Sequence, residues 1–322
     1  MTNPIIAEIT RGPIVESRHT GAFVVTDAQG KTVLSGGDFE KLTYPRSAIK
    51  AFQCLPVIES GAANHFDLND EEIALCCASH DGQPEHVLVA RSILTKIGVD
   101  EICYECGAQW PTSRAASFQL VRDGQVAAQV HNNCSGKHAG MLALAKHLGV
   151  DIKDYVKPDH AVQRAIAKTI EKICDVGLST APMGVDGCSV PTWAMSLKNV
   201  AMGFARLPSS AAGQRIISAA RHHPFMIAGT SRFDTKVMEA IPRLFLKYGA
   251  EGVYCGSIPH AGLGFAIKCD DGAARAVEVA AAGLMLKLDV WTEHEIEKLK
   301  SFQHDTMTNW RKIQVGEIHA SV

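Results

Sequence analysis

The chain has 322 residues, 46% hydrophobic and 20% charged, enough to bury a large core in one domain or two intimate ones. A formal net charge of -2 leaves no basic field to recruit nucleic acid or anionic lipid. No stretch reaches the roughly 20 consecutive apolar residues of a membrane span, and the start, "MTNPIIAEITRGP", lacks the basic segment and apolar core of a secretory leader, which points to the cytoplasm.

Taken in chain order, "PIIAEIT", "IVESRH" and "GAFVVTDAQGKTVLSG" predict strands, with a hairpin turn from Asp27 to Gly30. From about Ser47 to Phe245 the pattern turns helical, with helices predicted over 48–60, 71–77, 84–97, 137–148, 159–174 and 190–204. Near the end, "GVYCGSIP" predicts a strand, "GLGFAIKCDDGAARAVEVAA" a hairpin with an Asp-Gly turn, and the tail from Thr292 a helix. The expected fold class is α+β. One antiparallel sheet is built from both chain ends and flanked by helices, beside a mostly helical lobe. That is a single catalytic domain over 1–322, with a sheet lobe of about 1–46 and 246–322 and a helical lobe of about 47–245.

"YPRSAIKAFQ" places Ser47 three residues before Lys50 at the entry to the first helix. Residues i and i+3 share a helix face, so a lysine there can serve as base to a serine nucleophile. An ordinary helix capped by serine carries the same signature. Serine–lysine acyl-transfer enzymes such as penicillin-binding proteins share this layout and add a second lysine on a late strand. Lys268, ending "GLGFAIK", is the candidate for that lysine, and Ser79 in "CCASHDGQ" is a further hydroxyl in a polar loop. Their bland alternatives are a lysine emerging at a strand end and a plain turn serine.

Ten cysteines in a cytoplasmic chain should be mostly buried, reduced thiols. "HNNCSGKHAGML" sets Cys134, Lys137 and His138 around a glycine, and "GVDGCSVP" sets Asp186 and Cys188 in a second tight loop. Two thiolates and a third ligand suit Zn²⁺ with one open position. The rival is "CYEC", Cys103 and Cys106, which has Cys-x-x-Cys spacing but no second pair and reads as structural or incidental.

In this order, "RGPIVESRHTGAFVV", "YPRSAIKAFQ", "CCASHDGQPEHV", "NNCSGKHAGML", "MGVDGCSVPTWAM", "HPFMIAGTSRFDT" and "GLGFAIK" resemble the rhizobial-type, or class 3, zinc-containing L-asparaginases of the asparaginase II family. The resemblance spans nearly the whole chain. It implies the fold of serine β-lactamases and hydrolysis of L-asparagine to L-aspartate and ammonia. It also implies Ser47 as nucleophile, Lys50 as activating base, Ser79 with Lys268 as a second pair, and Zn²⁺ held by Cys134, Lys137, Cys188 and a water. His138 and Asp186 beside the metal are then the expected contacts for the substrate's α-ammonium or α-carboxylate; Arg46 beside the nucleophile is a second candidate for the carboxylate, with an exposed helix-start arginine as its alternative, and His80 and Asp81 are candidates to line the cleft. A homodimer is implied in the same way. Two other readings are carried alongside: a glutaminase or β-lactamase-like serine–lysine amidohydrolase, and a non-catalytic zinc or redox-sensing protein. The Ser-Asp-Asn and Lys-Thr-Gly signatures of penicillin-recognising enzymes are absent.

Overall fold

The computed structural model describes residues 2–322. The strands in chain order are β1 (Ile5–Arg11), β2 (Ile14–Asp27), β3 (Thr32–Gly36), β4 (Met183–Val185) and β5 (Pro191–Trp193). They continue with β6 (Phe245–Gly249), β7 (Val253–Ile258), β8 (Leu263–Cys269), β9 (His304–Thr308) and β10 (Gln314–Ala320). Packing divides the chain into two units. One collects the residues up to Ala48 with Met195–Arg206 and Val237–Val322, and the other Ile49–Ala194 with Leu207–Lys236.

The first unit is an eight-stranded sheet in the order β6-β7-β8-β2-β1-β10-β9, with β3 added alongside β2. All its pairs are antiparallel, and both chain ends contribute, as expected from the sequence. β2 is long enough to serve both halves: its beginning pairs with β1, its end with β3 and β8. The predicted turn closes because Asp27 Oδ1 accepts from the backbone N–H of Gln29 and of Lys31, both at 2.9 Å. The helix Leu197–Arg206 packs on β8, β2 and β7. It buries Leu197, Val200 and Phe204, each contributing about 1.5–3 kcal/mol. Its close approach depends on Gly264, where a Cβ would sit 2.1 Å from the Ala201 carbonyl oxygen. The helix Ala274–Leu286 packs against β1, β10, β7 and β8.

The second unit is helical and is organised around the helix Lys50–Glu59, whose first eight residues are all buried. The helices Ala161–Cys174, Ser135–His147 and Ala211–His222 pack around it. A helix buried on every face belongs to a core, and that burial is what makes Lys50 unusual.

Three expectations change. The predicted helix over 190–204 splits: Pro191–Trp193 forms β5 against β4, and the helix starts at Leu197 and packs in the sheet unit. The first helix begins at Lys50, with a 3-10 turn, Arg46–Ile49, ahead of it. The Asp-Gly turn after β8 leads into the helix Ala274–Leu286, not back into a strand, because the Ala-rich run after it favours helix. The tail forms the expected helix, Glu293–Phe302, and then returns to the sheet as β9 and β10. Among the described residues no helix is long and apolar enough to cross a membrane.

Candidate functional site

In the first unit, Ser47 is half-buried inside the 3-10 turn. It is not a cap: the N-cap of the following helix is Ile49, which makes no side-chain capping bond. Arg46, immediately before it, has φ 53°, a left-handed conformation that costs a non-glycine residue on the order of 1–3 kcal/mol and recurs at functional sites. The end of β6 lies against this turn. A Cβ on Gly249 would meet the Pro45 carbonyl oxygen at 2.7 Å and Ala48 at 3.0 Å, so only glycine allows that approach.

Two residues back along β6, and therefore on the same face, is Lys247, 1% exposed, its Nζ donating to the Tyr248 carbonyl at 2.7 Å. A strand rises about 3.3 Å per residue, so Lys247 leaves the backbone about 7 Å from the Gly249 contact. The sequence reading missed it. The available signal was a lysine inside the apolar run "LFLKYG", where a charge is almost never buried without a partner or a task. Lys268 is on the same face, because Gly249 opposes Val253 and Val253 opposes Lys268. It is half-buried and two strands away, about 10 Å. Its Nζ donates to the carbonyls of Glu251 at 2.6 Å and Cys269 at 2.5 Å.

In the second unit, Lys50 is fully buried and its Nζ donates to Ser79 Oγ at 2.9 Å and to the Ala78 carbonyl. The lysine on Ser79 is thus Lys50, where the sequence had paired Ser79 with Lys268. The Ser79 loop is held by its backbone: Ser79 N–H donates to Ile227 O at 2.9 Å and Asp81 N–H to Ala228 O at 2.8 Å. Arg232 and the Thr112 hydroxyl both donate to Asp81 Oδ1, at 2.6 and 2.9 Å. Asp81 therefore anchors the loop, and Arg232, also missed from sequence, is the cation that holds it.

His80, expected at the substrate, is fully buried. Its Nδ1 accepts from Gly82 N–H at 3.1 Å, which leaves Nε2–H to donate to Ser135 Oγ at 2.9 Å. It is a strut between the Ser79 loop and the Ser135 segment. His80 stacks on His86, ring centroids 4.9 Å apart, and His86 on Phe225 at 4.5 Å. His86 Nδ1 likewise accepts a backbone N–H, from Gln83 at 3.2 Å. Burial, the largest influence on both rings, pushes their pKa values below the ordinary histidine value. The folded state refuses protons that the unfolded chain takes up below about pH 6.5, so stability is present above that pH and is lost as pH falls. For two such rings the loss approaches about 2.7 kcal/mol per pH unit. Urea unfolding at pH 7 and pH 5.5 should therefore differ by roughly 2–3 kcal/mol; equal midpoints would contradict neutral rings.

The two thiol loops meet. Cys134, Lys137 and Cys188 are 4%, 3% and 3% exposed, and Lys137 Nζ donates to Cys188 Sγ at 2.9 Å. A hydrogen bond from Cys134, then the Lys137 charge, pulls Cys188 down to about 5 against its burial. The same sulfur–sulfur bond, with burial, pushes Cys134 up to about 12. Burial lowers Lys137, but the thiolate of Cys188, with Cys134 and Asp186, outweighs it and holds the ammonium above its usual range. Two ionisable sulfurs and one nitrogen meeting in a buried pocket form a donor set that fits a tetrahedral, thiophilic cation with one position left over. Cys106 is buried near both thiols and is pushed up to about 12 by burial and then by their charges, whereas Cys103 is half-buried.

His138, beside Lys137, is fully buried. Glu105 N–H donates to the Tyr155 hydroxyl at 3.0 Å, and that hydroxyl lies 2.7 Å from His138 Nδ1. The Tyr155 O–H is best placed donating to Nδ1, which puts the ring N–H on Nε2, and Nε2 is a buried atom with no partner. His138 therefore carries a donor in search of an acceptor. Asp186 is half-buried in the Cys188 loop, its N–H on Val190 O at 2.8 Å. In the first unit, His19, Cys269 and Asp271 bring three ligand atoms within 4.8 Å of one another, a possible metal-binding triad.

The family model for L-asparaginase II matches residues 7–320 of this sequence. No curated protein matches it. Among solved structures it is similar to a β-lactamase from Mycobacterium bovis, with 11% identity over 88% of this chain and 94% of that chain and a TM-score of 0.33.

Proposed function

The chain belongs to the L-asparaginase II family of amidohydrolases, and on that basis we propose that it hydrolyses L-asparagine to L-aspartate and ammonia through an acyl-enzyme on Ser47. The observation that carries the mechanism is Lys50: a fully buried lysine three residues after that serine, hydrogen-bonded to a second hydroxyl, Ser79. Ser47 Oγ attacks the side-chain amide carbonyl, Lys50 takes its proton, and the proton is returned to the departing ammonia. Water then cleaves the ester by the same route and releases aspartate. Ser79 orients Lys50. Lys247 assumes the second-lysine role expected of Lys268, as a buried cation on the Ser47 side of the sheet that stabilises the developing oxyanion.

Zn²⁺ would be held by Cys134, Lys137 and Cys188, where its charge would keep both sulfurs and the amine deprotonated and attract the polar end of the substrate. His138 Nε2–H, Asp186 and Arg46 are assigned to the substrate's charged groups. Tyr155 acts through His138. Tyr155→Phe should raise KM about fivefold, the worth of one hydrogen bond of about 1 kcal/mol, with little change in kcat. The His138 ¹⁵N shifts should move from one tautomer to a mixture. Unchanged shifts would remove Tyr155 from this role.

The reading as a whole is tested by ammonia release from L-asparagine, L-glutamine and D-asparagine. L-Asparagine should be fastest, with L-glutamine, one methylene longer, at least about tenfold behind. A faster L-glutamine reaction would make the protein a glutaminase, and no release from any substrate would leave the zinc or redox-sensing reading.

A further inference from the structure

The cluster of His19, Cys269 and Asp271 lies outside all of this machinery and is independent of the proposed reaction. It draws on three parts of the first unit: β2, the last residue of β8, and the turn that leads into the helix Ala274–Leu286. Gly21 opposes Cys269 across the β2–β8 pair, which brings His19, two residues along β2, alongside the end of β8. Asp271 sits between the other two. Its Oδ2 is 2.6 Å from His19 Nδ1, and its Oδ1 accepts from Cys269 Sγ and from Ala273 N–H, both at 2.9 Å.

The chemistry of these groups is a ligand set. Imidazole, thiol and carboxylate present nitrogen, sulfur and oxygen within 4.8 Å of one another. Bonds of about 2.0–2.3 Å at tetrahedral angles separate zinc ligands by about 3.3–3.8 Å, within reach of small side-chain rotations here. His19 is 5% exposed and Cys269 fully buried, while the Asp271 side chain is 52% exposed. Two donors are therefore shielded, and the third faces water, which supplies a fourth ligand. A second observation bears on the imidazole itself. The nitrogen that faces the cluster is Nδ1, which an ion would take in place of its contact with Asp271, while Nε2, on the far side of the ring, is buried without a partner.

We propose that His19, Cys269 and Asp271 form a second cation site, distinct from Cys134, Lys137 and Cys188, that takes Zn²⁺ or a neighbouring borderline divalent ion. Thiol and imidazole exclude Mg²⁺ and Ca²⁺, which require oxygen ligands. On binding, the Cys269 S–H proton passes to solvent as the metal–sulfur bond forms. The ion then ties β2, β8 and the start of the helix Ala274–Leu286 together.

The test is metal stoichiometry on the full chain, stripped by chelator, dialysed against zinc and freed of excess by gel filtration. Two zinc ions per chain are expected in the wild type, and one each in Cys269→Ser and in the Cys134→Ser, Cys188→Ser double variant. A Cys269→Ser protein that keeps the wild-type stoichiometry overturns the second site. A double variant that keeps it overturns the Cys134 centre instead, so the two failures are distinguishable. Should Cys269→Ser not fold, Co²⁺ added to the double variant provides the reading. A thiolate-to-cobalt charge-transfer band supports the site, and its absence overturns it.

Discussion

Replacing Ser47 by alanine should leave a folded protein whose kcat for L-asparagine is lower by about 10,000-fold or more, the scale on which loss of a covalent nucleophile is felt. The substitution is clean because of where Ser47 sits. It is half-buried, in a 3-10 turn that begins at a strained Arg46, and it caps no helix. Alanine removes one hydroxyl and leaves the turn's own bond, Ala48 N–H to Pro45 O at 3.1 Å, in place. Stability should therefore change by no more than about 0.5 kcal/mol. Lys50 offers no such clean experiment. Removing its Nζ deprives Ser79 Oγ and the Ala78 carbonyl of a donor in a fully buried position, at about 1–3 kcal/mol for each group left unpaired. A loss of activity in Lys50→Met would mix chemistry with packing. The alanine variant separates them: a folded Ser47→Ala enzyme retaining most of its ammonia release would sink the acyl-enzyme mechanism.

What could be read in the sequence follows from how far each determinant reaches along the chain. The helix Pro84–Ile97 appears with the boundaries expected of it, because proline at its first position and Gly98, at φ 63°, after its last are both local signals. The β2–β3 turn is equally local. The region 190–204 was not legible as a whole. Its apolar run reads as one helix, yet Pro191–Trp193 pairs with Met183–Val185, a partner the periodicity does not reveal. His80 looked like a cleft residue in a polar loop, and its burial depends on Ser135, 55 positions away. The Cys134, Lys137 and Cys188 set has no standard zinc spacing and came from the resemblance, with each thiol in its own glycine-bounded loop. Their convergence, recorded in the bond from Lys137 to Cys188, is a property of the folded second unit.

The lysine assignment shows the same limit and gives the sharpest test. Lys247 and Lys268 both sit in apolar strand-like runs, and nothing local distinguishes them. The packing does, because it sets the end of β6 against Pro45 and Ala48, whereas Lys268 lines a cavity with Thr43 and Tyr44. Lys247→Met should lower kcat by about 100- to 1000-fold, the worth of one preorganised charge at a developing oxyanion. It also takes the donor from the Tyr248 carbonyl, at about 1–3 kcal/mol if that group is left unpaired. Lys268→Met should leave kcat within a few-fold of wild type, with a comparable loss of stability as the Glu251 and Cys269 carbonyls give up their donor. Each variant takes a donor from backbone carbonyls, so a fall in kcat confined to Lys247→Met separates a charge that acts on the reaction from one that holds a turn. If Lys268→Met proves to be the inactive enzyme, the second lysine acts from two strands away. The close packing at Gly249 would then serve the fold alone.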